Sequence, residues 1–204
     1  MRILLLIVML GGASVSACIS LRSEYPKTTY YRLENHSVPK SARTVSEDLL
    51  VRPFTIDSEF ATDRILVMTS ATEVQPLMYH RWVSEPDDLI TAYVTRYMQQ
   101  SGFFLGGVVT PASSLLPSLL LEGHIGECIA VQSTQEGNVV RLRIHCTVQR
   151  RNAADRVEVL LQKVYTQIVR RESDAASSIA LAMSAAVHAL SEALLADIQA
   201  VLVR

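Results

Sequence analysis

Near the C-terminus, Ile179, Met183, Val187, Leu190, Leu194, Ile198 and Val201 recur at spacings of four, four, three, four, four and three residues. That rhythm is one apolar stripe along a helix of about seven turns, beginning near Ser173. Its flanks are mainly alanine, so another surface can approach closely. A stripe this long is stable only when covered, and the rest of the chain has to supply the cover.

The remainder reads mostly as strands. Residues 28–33 are rich in β-branched and aromatic side chains, which suits a first strand. A second spans 47–56 and carries Pro53, which lacks a ladder donor and places that strand at an edge or ends it there. Residues 64–69 and 74–82 form two more around a turn at 71–73, the later one made irregular by Pro76. The period then turns helical. Ser84 as a cap, Pro86 early, and Asp87 and Asp88 in the first turn suit orphan amides and the helix dipole. Leu89, Ile90, Tyr93, Val94, Tyr97 and Met98 form its apolar side, and Ser101-Gly102 ends it. A short strand over 103–110 and a loop over 111–117 follow. Residues 119–131 and 139–148 then flank Gly137-Asn138, a pair suited to a two-residue hairpin turn. A strand over 156–169 precedes the long helix. The expected fold is α+β: one domain, with a largely antiparallel multi-stranded sheet and two amphipathic helices packed on one face.

Closing the hairpin on Gly137-Asn138 sets Glu136 opposite Val139, Ile129 opposite Cys146 and Val131 opposite Ile144, and turns Cys128 to the other face. A disulfide between Cys128 and Cys146 is therefore not expected. Arg141, Arg143 and His145 alternate with Leu142, Ile144 and Cys146, the pattern of a half-buried strand whose polar row is a candidate docking face. Arg81-Trp82, before Pro86 at a strand-to-helix corner, contains the chain's one Trp. This group is a core plug between sheet and first helix, or an interface anchor.

Catalytic signatures are missing. His36, His80, His124, His145 and His188 sit on separate elements with no ligand spacing, so no metal site is expected. There is no phosphate loop, nucleophile elbow or zinc-protease motif, and no cofactor is implied. Asp87 and Asp88 are adjacent on a helix and do not share a face.

At the N-terminus, Arg2 precedes an apolar run over 3–10 and small residues over 11–17, the three-part layout of a secretory signal. Its apolar core is too short to span a bilayer. Val15-Ser16-Ala17-Cys18 resembles the lipobox of bacterial lipoproteins. The resemblance implies a signal peptide over 1–17, acyl chains on Cys18, a lipidated tether over 18–27 and one periplasmic domain over 28–204. Several buried acyl chains anchor a protein durably to the membrane. Ile19, where inner-membrane lipoproteins carry Asp, implies the outer membrane rather than the inner. Removing Arg2 from 19 Lys and Arg residues leaves 18 against 20 Asp and Glu, a formal charge of −2 that does not point to nucleic acid.

The order of features also resembles the auxiliary lipoproteins of ABC-type transport systems, the group that includes paraquat-inducible protein C. The matching pieces are the lipobox, Tyr30-Tyr31-Arg32-Leu33, Leu50-Val51-Arg52-Pro53-Phe54, Arg81-Trp82 before Pro86 and a helix, and a last helix with Ala182-Met183-Ser184-Ala185-Ala186 and Ala189-Leu190. The resemblance implies a non-enzymatic periplasmic subunit beside an ABC permease and ATPase and an Mce-domain protein that carries lipid. It also makes a homo-oligomer plausible. Two alternatives stay open: a free-standing assembly lipoprotein for an outer-membrane barrel or lipopolysaccharide-export complex, and a lipid carrier acting alone.

Overall fold

The computed structural model describes residues 26–109, 117–133, 137–151 and 156–203. The expected signal peptide and acylation site at Cys18, most of the expected tether, and the loops expected around 111–116 and 152–155 lie outside the described residues.

Among the described residues, nine strands and two helices follow in the order β1 (Thr29–Tyr31), β2 (Leu49–Val51), β3 (Thr55–Ile56), β4 (Arg64–Ser70), β5 (Glu73–Trp82), α1 (Pro86–Ser101), β6 (Val108–Val109), β7 (Leu119–Ser133), β8 (Gly137–Arg151), β9 (Val157–Arg170) and α2 (Ala176–Leu202). The fold is α+β, with both helices packed against one sheet. The long ladders β7–β8, β8–β9 and β4–β5 are antiparallel. β2, β3 and β4 join β7 in parallel, as β1 does β5 and β6 does β2, so the sheet is mixed and open.

The stripe predicted for the last helix is its packing face. Ile179, Met183, Val187, Leu190, Leu194 and Ile198 are buried, and Val201 is half-buried near the end. They cover Leu121, Ile125, Leu142, Ile144, Cys146 and Val148 in one apolar core. α2 is long and apolar enough to cross a membrane, but 61% of its most apolar window is buried inside the fold. Lys163 and Tyr165 of β9 both reach Asp197 of α2, at 2.7 and 2.6 Å, and lock helix to sheet.

α1 begins one residue later than its serine implied. Glu85 is the N-cap and supplies no side-chain cap bond; Ser84 instead donates to Asp88 Oδ2 at 3.0 Å. Pro86, Asp87 and Asp88 fill the first turn, and Gly102 closes the helix at φ +66°, a conformation open to glycine without steric cost. The strand expected over 47–56 is two short ones. Pro53 interrupts the ladder, and the Phe54 amide leaves the sheet to donate to Thr91 Oγ1 of α1 at 2.9 Å. The strand expected over 103–110 shrinks to Val108–Val109 plus a bridge between Val45 and Phe104.

The hairpin register differs most from expectation. Val131 faces Val139 rather than Ile144, Ile129 faces Arg141 rather than Cys146, and Gly137 is the first residue of β8 at φ +74°. The reason is tertiary. Ile129, Val131 and Val139 are buried on the side away from the helices, under Phe60, a partner distant in sequence. A bulge at Gly126 then brings Ile125 and Cys128 to the same, helix-covered side. Cys128 and Cys146 thus share a face, contrary to the expected register. Cys128 is level with Leu142, four residues from Cys146, or about 13 Å along the strand, too far for a disulfide. Burial pushes both thiols up to about 12.

Candidate docking face

The sheet has one side under the helices and another that carries a row of polar residues on β7 and β8. Arg141, Arg143 and His145 stand together on that outer side, as their alternation implied, while Leu142, Ile144 and Cys146 are buried on the other. Arg141 Nη1 donates to Glu127 Oε1 at 3.3 Å, and Arg143 Nη2 donates to the Gly126 carbonyl at 3.4 Å.

Sequence reasoning missed the residues that complete this face. His145 lies directly opposite His124. Parallel pairing of β3 with β7 sets Thr55 beside His124, where Thr55 Oγ1 and His124 Nδ1 are 2.8 Å apart and His124 Nε2 is 3.0 Å from Asp57 Oδ1. Arg52 pairs with Glu122 at 2.7 Å, and Gln149 donates to the same carboxylate at 3.2 Å. Arg52, Pro53, Thr55, Glu122, Gly123, His124, His145 and Thr147 line a shallow concavity of about 370 Å³. No periodicity in the chain pointed to these contacts, because β3 is two residues long and meets β7 across 69 positions of sequence.

Hydroxyl, imidazole and carboxylate follow one another here in the order of a nucleophilic relay. Yet the His124 and Asp57 side chains remain 47% and 48% exposed, whereas electrostatic catalysis draws its strength from a dry, pre-organised site. The chemistry this arrangement supports is reversible recognition through hydrogen bonds and paired charges. Among the described residues, no group of three His, Cys, Asp or Glu side chains is placed to hold a metal ion.

Arg81, Trp82 and Pro86 do not join that face. Arg81 binds Asp63 through both carboxylate oxygens, at 3.1 and 2.8 Å. Trp82 is 5% exposed and lies in the helix-side apolar cluster with Leu33, Leu89, Ile90, Cys128 and Met183.

A second polar cluster ties the segment after β1 to both helices. Tyr93 Oη of α1 lies 3.1 Å from His188 Nδ1 of α2 and 3.4 Å from His36 Nδ1, and the two imidazole centroids are 4.9 Å apart. One ring can accept the phenol proton while the other donates to its oxygen, and the accepting ring nitrogen must then be unprotonated. Burial, then the nearby His36, holds the His188 imidazole below its ordinary value, and Glu192 opposes them. A histidine with a depressed folded-state pKa stabilises the fold above its unfolded value of about 6.5, and that contribution is lost as pH falls towards the folded value. The melting temperature is therefore expected to drop as pH is lowered from 7.5 to 5.5, and to drop less in His188→Gln. Equal slopes in the two proteins would remove this cluster as the cause.

Two layers and one open sheet face define a small α+β module. The chain belongs to the family of ABC-type transport auxiliary lipoprotein components, whose family model matches residues 31–194. That membership makes it an envelope lipoprotein associated with an ABC transport system. A search of curated proteins gave no match. Among solved structures, a protein from Xanthomonas campestris is similar with a TM-score of 0.72 at 18% identity, over 82% of this chain and 93% of that one. A hypothetical protein from Chlamydia trachomatis is similar with a TM-score of 0.56 at 9% identity, over 77% and 98%. At these identities the likeness is one of fold.

Proposed function

We propose that the chain is a non-catalytic docking subunit of an ABC/Mce-type lipid transport system, held at the periplasmic side of the outer membrane by acyl chains on Cys18. Family membership across nearly the whole domain carries this reading, and the lipobox-like Val15-Ser16-Ala17-Cys18 supports the anchor. In this reading the open face around Arg141, Arg143, His145 and His124 meets the Mce-domain conduit. The half-exposed ion pairs there contribute little stability in water and serve better to orient a partner of complementary charge.

Mild cross-linking of solubilised envelopes, followed by mass spectrometry of what co-purifies with the acylated protein, tests the reading. Recovery of an Mce-domain protein supports it; recovery of an outer-membrane barrel alone moves the assignment to an assembly lipoprotein. Separately, Cys18→Ala is expected to shift the protein from the membrane to the soluble fraction, since each buried chain methylene is worth about 0.8 kcal/mol. Complete retention on membranes after that change would refute the anchor.

A further inference from the structure

β1 and the adjoining stretch of β5 form the sheet edge where the chain enters the domain. Among the described residues β1 pairs with β5 alone, setting Thr29 level with His80, Tyr30 with Arg81 and Tyr31 with Trp82. β5 bulges just before this ladder, since Arg64 of β4 pairs with Arg81 but Leu66 already pairs with Pro76. Leu77 and Trp82 stay against the helix-side core, and a bulge at a sheet edge re-aims the surplus side chains. Met78 and Tyr79 lie in this surplus and are 73 and 37% exposed, and Tyr30 beside them is 60% exposed.

The two strands run parallel, so the chain approaches β1 from the side of Met78 and Tyr79. Pro26, Lys27 and Thr28 on that approach are exposed, as is Arg32 just beyond β1. Apolar exposure gathered in one place with a polar rim marks a membrane or partner contact. Here the chemistry favours a membrane. Tyrosine rings suit a boundary that is apolar at one end and wet at the other, and basic side chains such as Lys27 and Arg32 are drawn to anionic headgroups.

We infer that this edge, through Tyr30, Met78 and Tyr79, rests on the phospholipid bilayer that holds the acyl chains. The inference depends on the anchor proposed at Cys18, and the length of the leash says which surface the bilayer meets. Eight peptide steps separate Cys18 from Pro26, at most about 28 Å of fully extended chain. A domain of this size is roughly 40 Å across, so its far side cannot turn to the bilayer without lifting Pro26 beyond that reach. β4 and β8 flank β7 on opposite sides, so β5 and β1 extend the sheet one way and β9 the other. Seating the β1 edge on lipid therefore leaves β8, β9 and the row of Arg141, Arg143 and His145 clear of the membrane, where a periplasmic partner can reach them.

The test uses the full-length acylated protein in vesicles of phosphatidylethanolamine and phosphatidylglycerol that carry a nitroxide-labelled phospholipid as quencher. Cys128 and Cys146 are buried and do not take up a thiol-reactive fluorophore. A fluorophore on Met78→Cys is expected to lose most of its emission to the nitroxide, and one on Val164→Cys of β9, a position 53% exposed, to keep it. Adding Tyr30→Glu to the Met78→Cys protein is expected to restore much of the emission, with flotation on the vesicles and the melting temperature unchanged. Protein that floats but is quenched at neither position, or equally at both, overturns the inference and leaves the anchor standing. So does a Tyr30→Glu protein quenched as before. Protein that carries no acyl mass and does not float overturns the anchor and the seating together.

Discussion

Trp82→Ala is expected to lower the unfolding free energy by about 3–5 kcal/mol, the range for deleting a buried large aromatic side chain. Trp82 closes the corner where β5 turns into α1, and it shares one apolar cluster with Leu33 after β1, Leu89 and Ile90 of α1, Cys128 of β7 and Met183 of α2. Four elements lose a common partner at once, and none is free to collapse into the gap, because each is held by its own ladder or helix. For a chain of this size the loss corresponds to roughly 6–20 °C in melting temperature. Chemical denaturation of purified wild type and variant measures it directly. Unchanged melting together with lost partner binding would instead make Trp82 an interface anchor.

The second large effect is expected at Gly123. A Cβ added there meets three atoms of the Phe54 ring at 2.6 Å, and Phe54 is only 2% exposed, so the ring cannot swing into solvent. Gly→Ala in a strand would ordinarily help by about 0.4–1 kcal/mol through the unfolded chain. Here overpacking reverses the sign, and Gly123→Ala is expected to cost about 1–3 kcal/mol. Phe54→Leu in the same chain should recover part of it, since the smaller side chain vacates the contact. Gly126→Ala is the control: its nearest neighbour would be Arg143 Nε at 3.6 Å, an ordinary contact. Similar losses at Gly123 and Gly126 would show that the Phe54 contact is not the cause.

These two sites show what could and could not be read from the chain. Trp82 was placed at the sheet-to-helix corner from its neighbours Arg81 and Pro86, and the structure buries it there. Gly123 attracted no notice, because its constraint is the ring of Phe54, 69 residues earlier and brought close by the parallel ladders of β2 and β3 on β7. The polar row Arg141, Arg143 and His145 was legible because alternation along one strand is local. The other half of the face, Arg52, Thr55, Asp57, Glu122 and His124, was not, since two of its strands are two and three residues long and carry too few positions to show a period.

The hairpin makes the same division clear. That residues on either side of Gly137 pair antiparallel follows from composition and turn chemistry. Which residues face one another was decided by Phe60, which buries Ile129, Val131 and Val139 on the side the helices do not cover, and by the Gly126 bulge, which lets Cys128 face the helices alongside Cys146. A one-residue change in register exchanges every face, so a distant aromatic can outweigh a local turn preference. By itself, then, the sequence determined the elements with a strong local period: α1, α2 and the long strands β7, β8 and β9, together with the α+β class. Parallel pairing, register and the composition of the candidate docking face were decided only in the tertiary structure, because they depend on contacts between residues far apart in the chain, and side-chain periodicity reports only a residue's own strand or helix.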